Sequence, residues 1–495
     1  MGCKEIYSLQ SIHLQEVQLK KGEQIYITIE KFVFEGYGLG RLSADLQEVP
    51  EDKQNLKIFV RFAYPGDVVL AQLTKIKKNY AEALLLKVIT PSKDRIEAPC
   101  SYFTYCGGCK QQNLEYTAQA NYKQTQIEEL FVQLKADNEF EILPIVPSTV
   151  TFEYRNKMEF SFADFRWLPY ERMLSNPEEK KLPALGFHPP QGFNSVMQIE
   201  KCYLQTDTAN QILNLTSDFF FTRGTSVYNN KADAGYLRNL VIRQAANTPD
   251  LMVNLVTNYR DAELMKEYTN FLLEKVPAIT TILNNINSRK AMIATGEVEY
   301  IEFGKGFIVD SIGHPKFQIS ANSFFQTNTR QGFHLYQLAK EFAELTCNEI
   351  VYDLYCGAGT ISLFIADSAK DVYGLELVES AVNDANANKS LNETTNVHFY
   401  SSDLYKSFLP LIEKNNIPNP DVVIIDPPRN GMHKNTVEDI LTLAPPKIVY
   451  VSCNPATQVR DIQLLLAKYK LVKIRAVDMF PHTAHIENVA LLVRS

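Results

Sequence analysis

Ile448-Val449-Tyr450-Val451-Ser452-Cys453-Asn454-Pro455, near the C-terminus of a 495-residue chain, is an apolar run closed by Asn-Pro. It reads as a buried strand whose last residues carry one thiol, at the edge where open α/β sheets hold their ligands. A lone cysteine on such a strand is most often a small buried hydrophobe. Its neighbours in sequence decide whether Cys453 is instead a nucleophile.

Upstream, from Phe324, strand-like and helix-like periods alternate. The runs Ile350–Leu354, Asp371–Glu376, Val397–Tyr400 and Val422–Ile425 are separated by helical patterns over 361–369 and 378–391, which predicts a doubly wound parallel sheet. The first strand runs into Asp353-Leu354-Tyr355-Cys356-Gly357-Ala358-Gly359-Thr360, a Gly-rich turn that lets a ligand approach the backbone. The second ends in Glu376, placed to accept ribose hydroxyls, and the third in Ser402-Asp403, placed for an adenine amino group. That set suits S-adenosylmethionine, with NAD as the competitor. The fourth strand's Asp426-Pro427-Pro428-Arg429 tips the choice, because an acid followed by Pro-Pro suits a loop that holds a nucleobase.

The remainder of the chain divides by composition. Residues 15–91 alternate short strands with Gly-rich connections and predict a small OB-like β-barrel. Its segment Phe32-Val33-Phe34-Glu35-Gly36-Tyr37-Gly38-Leu39-Gly40-Arg41 either stacks bases or fills the barrel. Residues 92–321 read as a central α+β domain with an antiparallel sheet. It opens on Cys100, Cys106 and Cys109 in a C-x₅-C-x₂-C cluster, with Cys202 as the fourth thiol. Four thiolates hold zinc or a [4Fe–4S] cluster. Residues 322–495 are the Rossmann-like unit. The fold class is thus multidomain α/β.

Net charge is −7, but residues 1–95 hold fourteen Lys/Arg against twelve Asp/Glu, leaving 36 against 45 for the rest. Whole-chain acidity therefore does not exclude a nucleic-acid partner. Residues 1–14, with Cys3, lack a clear period and read as a loose arm. No leader or run of eighteen apolar residues is present, so the expectation is a cytoplasmic protein with no membrane association.

Two long segments carry a resemblance. Asp426-Pro427-Pro428-Arg429-Asn430-Gly431, then Ile448 to Thr457, and finally Val477-Asp478-Met479-Phe480-Pro481-His482-Thr483-Ala484-His485-Ile486-Glu487 closely resemble the two signatures of the RNA uracil-C5 methyltransferases. Glu35 to Arg41 and Tyr64-Pro65-Gly66-Asp67-Val68-Val69 resemble a TRAM domain, a small RNA-binding barrel. Barrel and cysteines together are similar to the RlmD-like branch. The resemblance implies a monomeric enzyme with 23S ribosomal RNA as substrate, S-adenosylmethionine as methyl donor and a [4Fe–4S] cluster on Cys100, Cys106, Cys109 and Cys202. It also implies cofactor contacts at Gln326, Tyr355, Thr360, Glu376, Asp403 and Asp426; Thr360 stands where that branch often has Asn. A transfer-RNA uridine is the alternative target, and a non-catalytic iron–sulfur RNA-binding protein the alternative class.

The chemistry of uracil fits these residues. C5 is a poor nucleophile until a thiolate adds to C6, which is the role expected of Cys453 and requires a lowered thiol pKa. Glu487 is the expected base for the C5 proton, with His482 and His485 as rivals, and Asp426 is expected to hydrogen-bond the uracil edge.

Overall fold

The computed structural model describes residues 19–49, 53–135, 139–190, 192, 195–290 and 293–495. The arm expected over residues 1–14, with Cys3, lies outside them. By internal contacts the chain forms two units, residues up to Pro99 with Lys110–Tyr122, and Cys100–Cys109 with Lys123–Ser495.

In the first unit β1 (Gln24–Val33), β2 (Tyr37–Leu42), β3 (Lys57–Arg61), β4 (Val68–Ile76) and β5 (Tyr80–Thr90) close into a barrel in the order β1-β2-β3-β5-β4. Alternate residues point inward, so Ile25, Ile27, Ile29, Ile58, Val60 and Val69 fill it. The Tyr64-Pro65-Gly66-Asp67 turn is locked from within. Asp67 is fully buried and accepts the amides of Tyr64 and Ser92 and two hydrogen bonds from Arg95, each 2.7 Å. Of the aromatics, Phe32 is buried against Tyr64 and Tyr122 in a cluster apart from the barrel core, and Tyr37 is half-buried under the Arg61 guanidinium.

The second unit contains two large sheets. β7 (Lys157–Ala163), β8 (Ala184–Phe187), β9 (Met197–Gln198), β10 (Leu237–Gln244), β11 (Leu251–Thr257), β12 (Thr281–Ile286) and β13 (Val298–Phe303) form seven strands in the order β13-β12-β11-β10-β7-β8-β9. This sheet is not wholly antiparallel as expected. The helix Ala262–Lys275 connects β11 to β12 as a crossover, which makes that pair parallel. A hairpin, β14 (Phe307–Ser311) with β15 (Lys316–Ser320), follows.

The C-terminal sheet holds β16 (Ile350–Leu354), β17 (Asp371–Glu376), β18 (Val397–Ser401), β19 (Val422–Ile425), β20 (Lys447–Ser452), β21 (Tyr469–Val477) and β22 (Glu487–Arg494). Its eighth strand is β6 (Glu141–Val146), and the order is β18-β17-β16-β19-β20-β22-β21-β6. β6 lies within the segment assigned by sequence to the central domain, yet it pairs with β21, and the Asp478 amide donates to the Val146 carbonyl just beyond. β16 to β20 are mutually parallel with apolar residues on both faces, as helix-covered strands must be. β22 runs antiparallel to β20, so the start of β22 meets the end of β20.

Candidate active site

The carboxyl edge of the parallel strands collects acids in sheet order. Glu376 ends β17, Asp353 is the penultimate residue of β16, Asp426 follows β19, and Cys453 follows β20. Ser452 pairs with Asn488 and the antiparallel register then sets Cys453 against Glu487, the first residue of β22.

Burial dominates their electrostatics. It pushes the Asp353 and Asp426 carboxyls up to about 7; Glu376 adds to the first, against the Ser362 hydrogen bonds, and Asp353 adds to the second. Glu487 is raised well above the carboxylate range by burial first and the Asp426 charge second, with Arg429 opposing. The thiol of Cys453 is pushed up to about 12 by burial, then by Glu487 and Asp426, again against Arg429. The lowered pKa expected of this cysteine is thus absent from the ligand-free protein. Its surroundings are acidic and apolar, and both favour the neutral thiol.

The loops are tied together. Asn454 caps the helix Pro455–Leu465 and donates to the Arg429 carbonyl at 3.0 Å, which Thr457 also meets at 3.3 Å. The Cys453 turn and the Asp426-Pro427-Pro428-Arg429 loop therefore move as one. Of the rival bases, His482 is buried with its ring stacked on Phe152 at 4.3 Å, and His485 is exposed.

The predicted cofactor residues gather in part. The Glu376 carboxylate accepts the Gly357 amide at 3.1 Å and the Val378 amide at 2.9 Å. Gly357 has φ +54° with open space where a Cβ would stand, and a Cβ at Gly359, φ +77°, would lie 2.4 Å from the Phe399 ring. Only glycine fits both demands. Tyr336, which sequence reasoning missed, links two others: its hydroxyl bonds the Thr360 hydroxyl at 2.9 Å and also meets Gln326. Tyr355 holds φ +65° with its hydroxyl 3.2 Å from Thr436. Asp403 pairs instead with Lys406 at 3.1 Å, which lowers its pKa. A row of carboxyl groups beside an open glycine turn suits a cationic sulfonium nucleoside, so the residues fit S-adenosylmethionine.

Arg238, near the start of β10, is buried over Tyr228 and donates to the carbonyls of Asn287 and Arg289. An open cavity of about 600 Å³, lined by Arg166, Leu182, Glu200, Asp218 and Phe221 among others, lies away from every residue of the strand-end row.

Cys100, Cys106, Cys109 and Cys202 are half-buried thiols. Cys100 and Cys202 both stand within electrostatic reach of Cys106, whose thiol burial pushes up to about 12. The Gly108 amide donates to the Cys106 sulfur at 3.4 Å. Among the described residues, no group of three or more His, Cys, Asp or Glu side chains is gathered as single-ion ligands. The metal site expected on these four residues is therefore not seen as such.

Sheet order, glycine turn and strand-end acids define a class, the S-adenosylmethionine-dependent methyltransferases on an open α/β sheet. Residues 266–495 match the family described as tRNA (Uracil-5-)-methyltransferase, and residues 18–86 match the TRAM domain. An "uncharacterized RNA methyltransferase" of Bacteroides thetaiotaomicron is 42% identical, over 88% of this chain and 97% of its own length. Another from Chlorobaculum tepidum is 39% identical, over 97% and 98%. The crystal structure of Pyrococcus abyssi tRNA (uracil-54, C5)-methyltransferase with S-adenosyl-L-homocysteine superimposes with a TM-score of 0.71 at 27% identity, covering 94% of this chain and 99% of that one. The chain belongs to the RNA uracil-C5 methyltransferase family. It is an S-adenosylmethionine-dependent RNA methyltransferase of the uracil-C5 type with an N-terminal TRAM barrel. No helix among the described residues is long and apolar enough to cross a membrane.

Proposed function

We propose that this enzyme methylates C5 of a specific uridine in 23S ribosomal RNA through a covalent bond between Cys453 and C6 of the base. The observation that carries this reading is the meeting of a thiol and two buried carboxyls, Cys453, Glu487 and Asp426, at one sheet edge beside Pro427-Pro428.

S-adenosylmethionine, which Gln326, Tyr355, Thr360, Glu376, Asp403 and Asp426 would hold, would supply an electrophilic methyl group to C5 and leave as S-adenosylhomocysteine. Cys453 adds to C6 and so makes C5 nucleophilic. Arg429 favours the thiolate there, against burial, Glu487 and Asp426. Once C5 carries the methyl group, Glu487 in its carboxylate form takes the C5 proton, which re-forms the C5–C6 double bond and expels the Cys453 sulfur. A carboxyl with raised proton affinity is the stronger base for this step. Asp426, near 7, bonds the uracil edge. Both ring faces must be reached, so the uridine leaves its stack.

The cluster is part of the same reading. Cys100 and Cys202 within electrostatic reach of Cys106 support a group shared by these residues. It would tie the turn at 100–109 to the segment at Cys202, and no step of the transfer uses it. For the target, the barrel of residues 15–91 and the cysteine set support ribosomal RNA. The near full-length likeness to an archaeal tRNA enzyme favours a transfer-RNA uridine as the second reading.

Two measurements test this. Glu487→Gln incubated with cofactor and RNA should leave a protein–RNA adduct that survives denaturation, and Cys453→Ala should leave none; rapid turnover by Glu487→Gln moves the base elsewhere. Mapping 5-methyluridine in the ribosomal and transfer RNA of a deletion strain assigns the target, and loss from transfer RNA alone overturns the ribosomal reading.

A further inference from the structure

The connection between β21 and β22 has no regular structure, yet three successive carbonyls in it are each held by a buried side chain from a different part of the chain. Asn328 Nδ2 donates to the Met479 carbonyl at 2.9 Å, Lys123 Nζ to Phe480 at 3.2 Å, and Tyr154 Oη to Pro481 at 3.0 Å. Lys123 is fully buried and also pairs with Asp478 at 2.6 Å; the same carboxylate oxygen accepts the Phe480 amide. The next residue, His482, is held at φ +64° with its ring stacked on Phe152. Buried polar backbone outside regular structure must find such partners. Here the partners also set where the connection leads, because it runs straight into Glu487.

The holders reach further. Asn328 caps the helix Thr329–Ala343, two residues after Gln326. Asn156 donates its side-chain amide to the Gln326 carbonyl at 2.8 Å and its backbone amide to Thr327. Tyr154 and Asn156 lie on one stretch, on which the amides of Glu153 and Arg155 donate to the carbonyls of Tyr203 and Leu204. One short segment thus grips the cofactor-facing stretch and the approach to the base.

We propose that Tyr154 and Asn328 are positioning residues for the release step, acting through the Asp478–His482 connection on Glu487. The inference rests on the covalent reading above. A side chain that only filled space would tolerate loss of one hydroxyl with no change in how the reaction divides between its steps. A positioning residue, once loosened, slows proton removal after the bond to C6 has formed, and the adduct then accumulates.

The test uses the full chain with the RNA it methylates. Tyr154→Phe removes one oxygen and keeps the ring. Asn328→Asp keeps the helix cap and removes the donor to Met479. For each, kcat is expected to fall about tenfold, as loss of one buried hydrogen bond allows. RNA KM and S-adenosylmethionine affinity should stay within about twofold, and adduct invisible with the wild type should appear on a denaturing gel. Wild-type kcat in folded Tyr154→Phe protein, or a fall in kcat with no adduct, overturns the proposal. Glu487→Gln run alongside separates the failures: if it traps no adduct, the covalent reading itself is wrong, and if it does while Tyr154→Phe matches the wild type, only the positioning role is.

Discussion

Alkylation of Cys453 in the ligand-free protein should be slow, and the structure says by how much. With the thiol at about 12 rather than 9.0, the thiolate fraction at neutral pH falls about a thousandfold. A more basic thiolate is also a better nucleophile, and a Brønsted slope of about 0.4 to 0.5 returns about twentyfold. Native Cys453 should therefore react with iodoacetamide about fiftyfold more slowly than the same cysteine in urea-unfolded protein, read by peptide mass mapping. Its rate should climb about tenfold per pH unit between about 7 and 9 without levelling. Native and unfolded rates within about fivefold of each other would refute this reasoning.

Three further outcomes are expected. Asp353 and Asp426 hold protons more tightly folded than unfolded, so stability present below about pH 4 is lost as pH rises through about 7; the ligand-free urea midpoint should drop between pH 5 and 8, and Asp426→Asn should flatten that drop. Lys123→Met strands the fully buried Asp478 and should cost about 3 to 5 kcal/mol in urea melts, most of it recovered when Asp478→Asn is added. Anaerobically purified protein should contain iron and absorb in the visible, and Cys202→Ser should lose both; a colourless protein with zinc would replace the cluster by a zinc ion.

The parallel strands were legible because strands buried on both faces leave short apolar runs, and each run here ends at a residue with chemistry: Glu376, Asp426, Cys453. Tyr336 was not legible. It lies mid-helix, where an aromatic reads as core, and only folding brings its hydroxyl to Thr360 and Gln326. β6 was hidden too, being separated from its partner β21 by more than three hundred residues, a pairing no local period records.

Sequence alone determined the kind of chemistry, since residue types at strand ends are local facts: a thiol, its neighbouring acids and a glycine turn. Tertiary structure alone decided their state. Cys453, the proposed nucleophile, is held as a thiol, because burial and the acids Glu487 and Asp426 meet there from strands distant in the chain. Likewise Lys123, an ordinary helix lysine in sequence, is the buried cation that fixes the approach to Glu487.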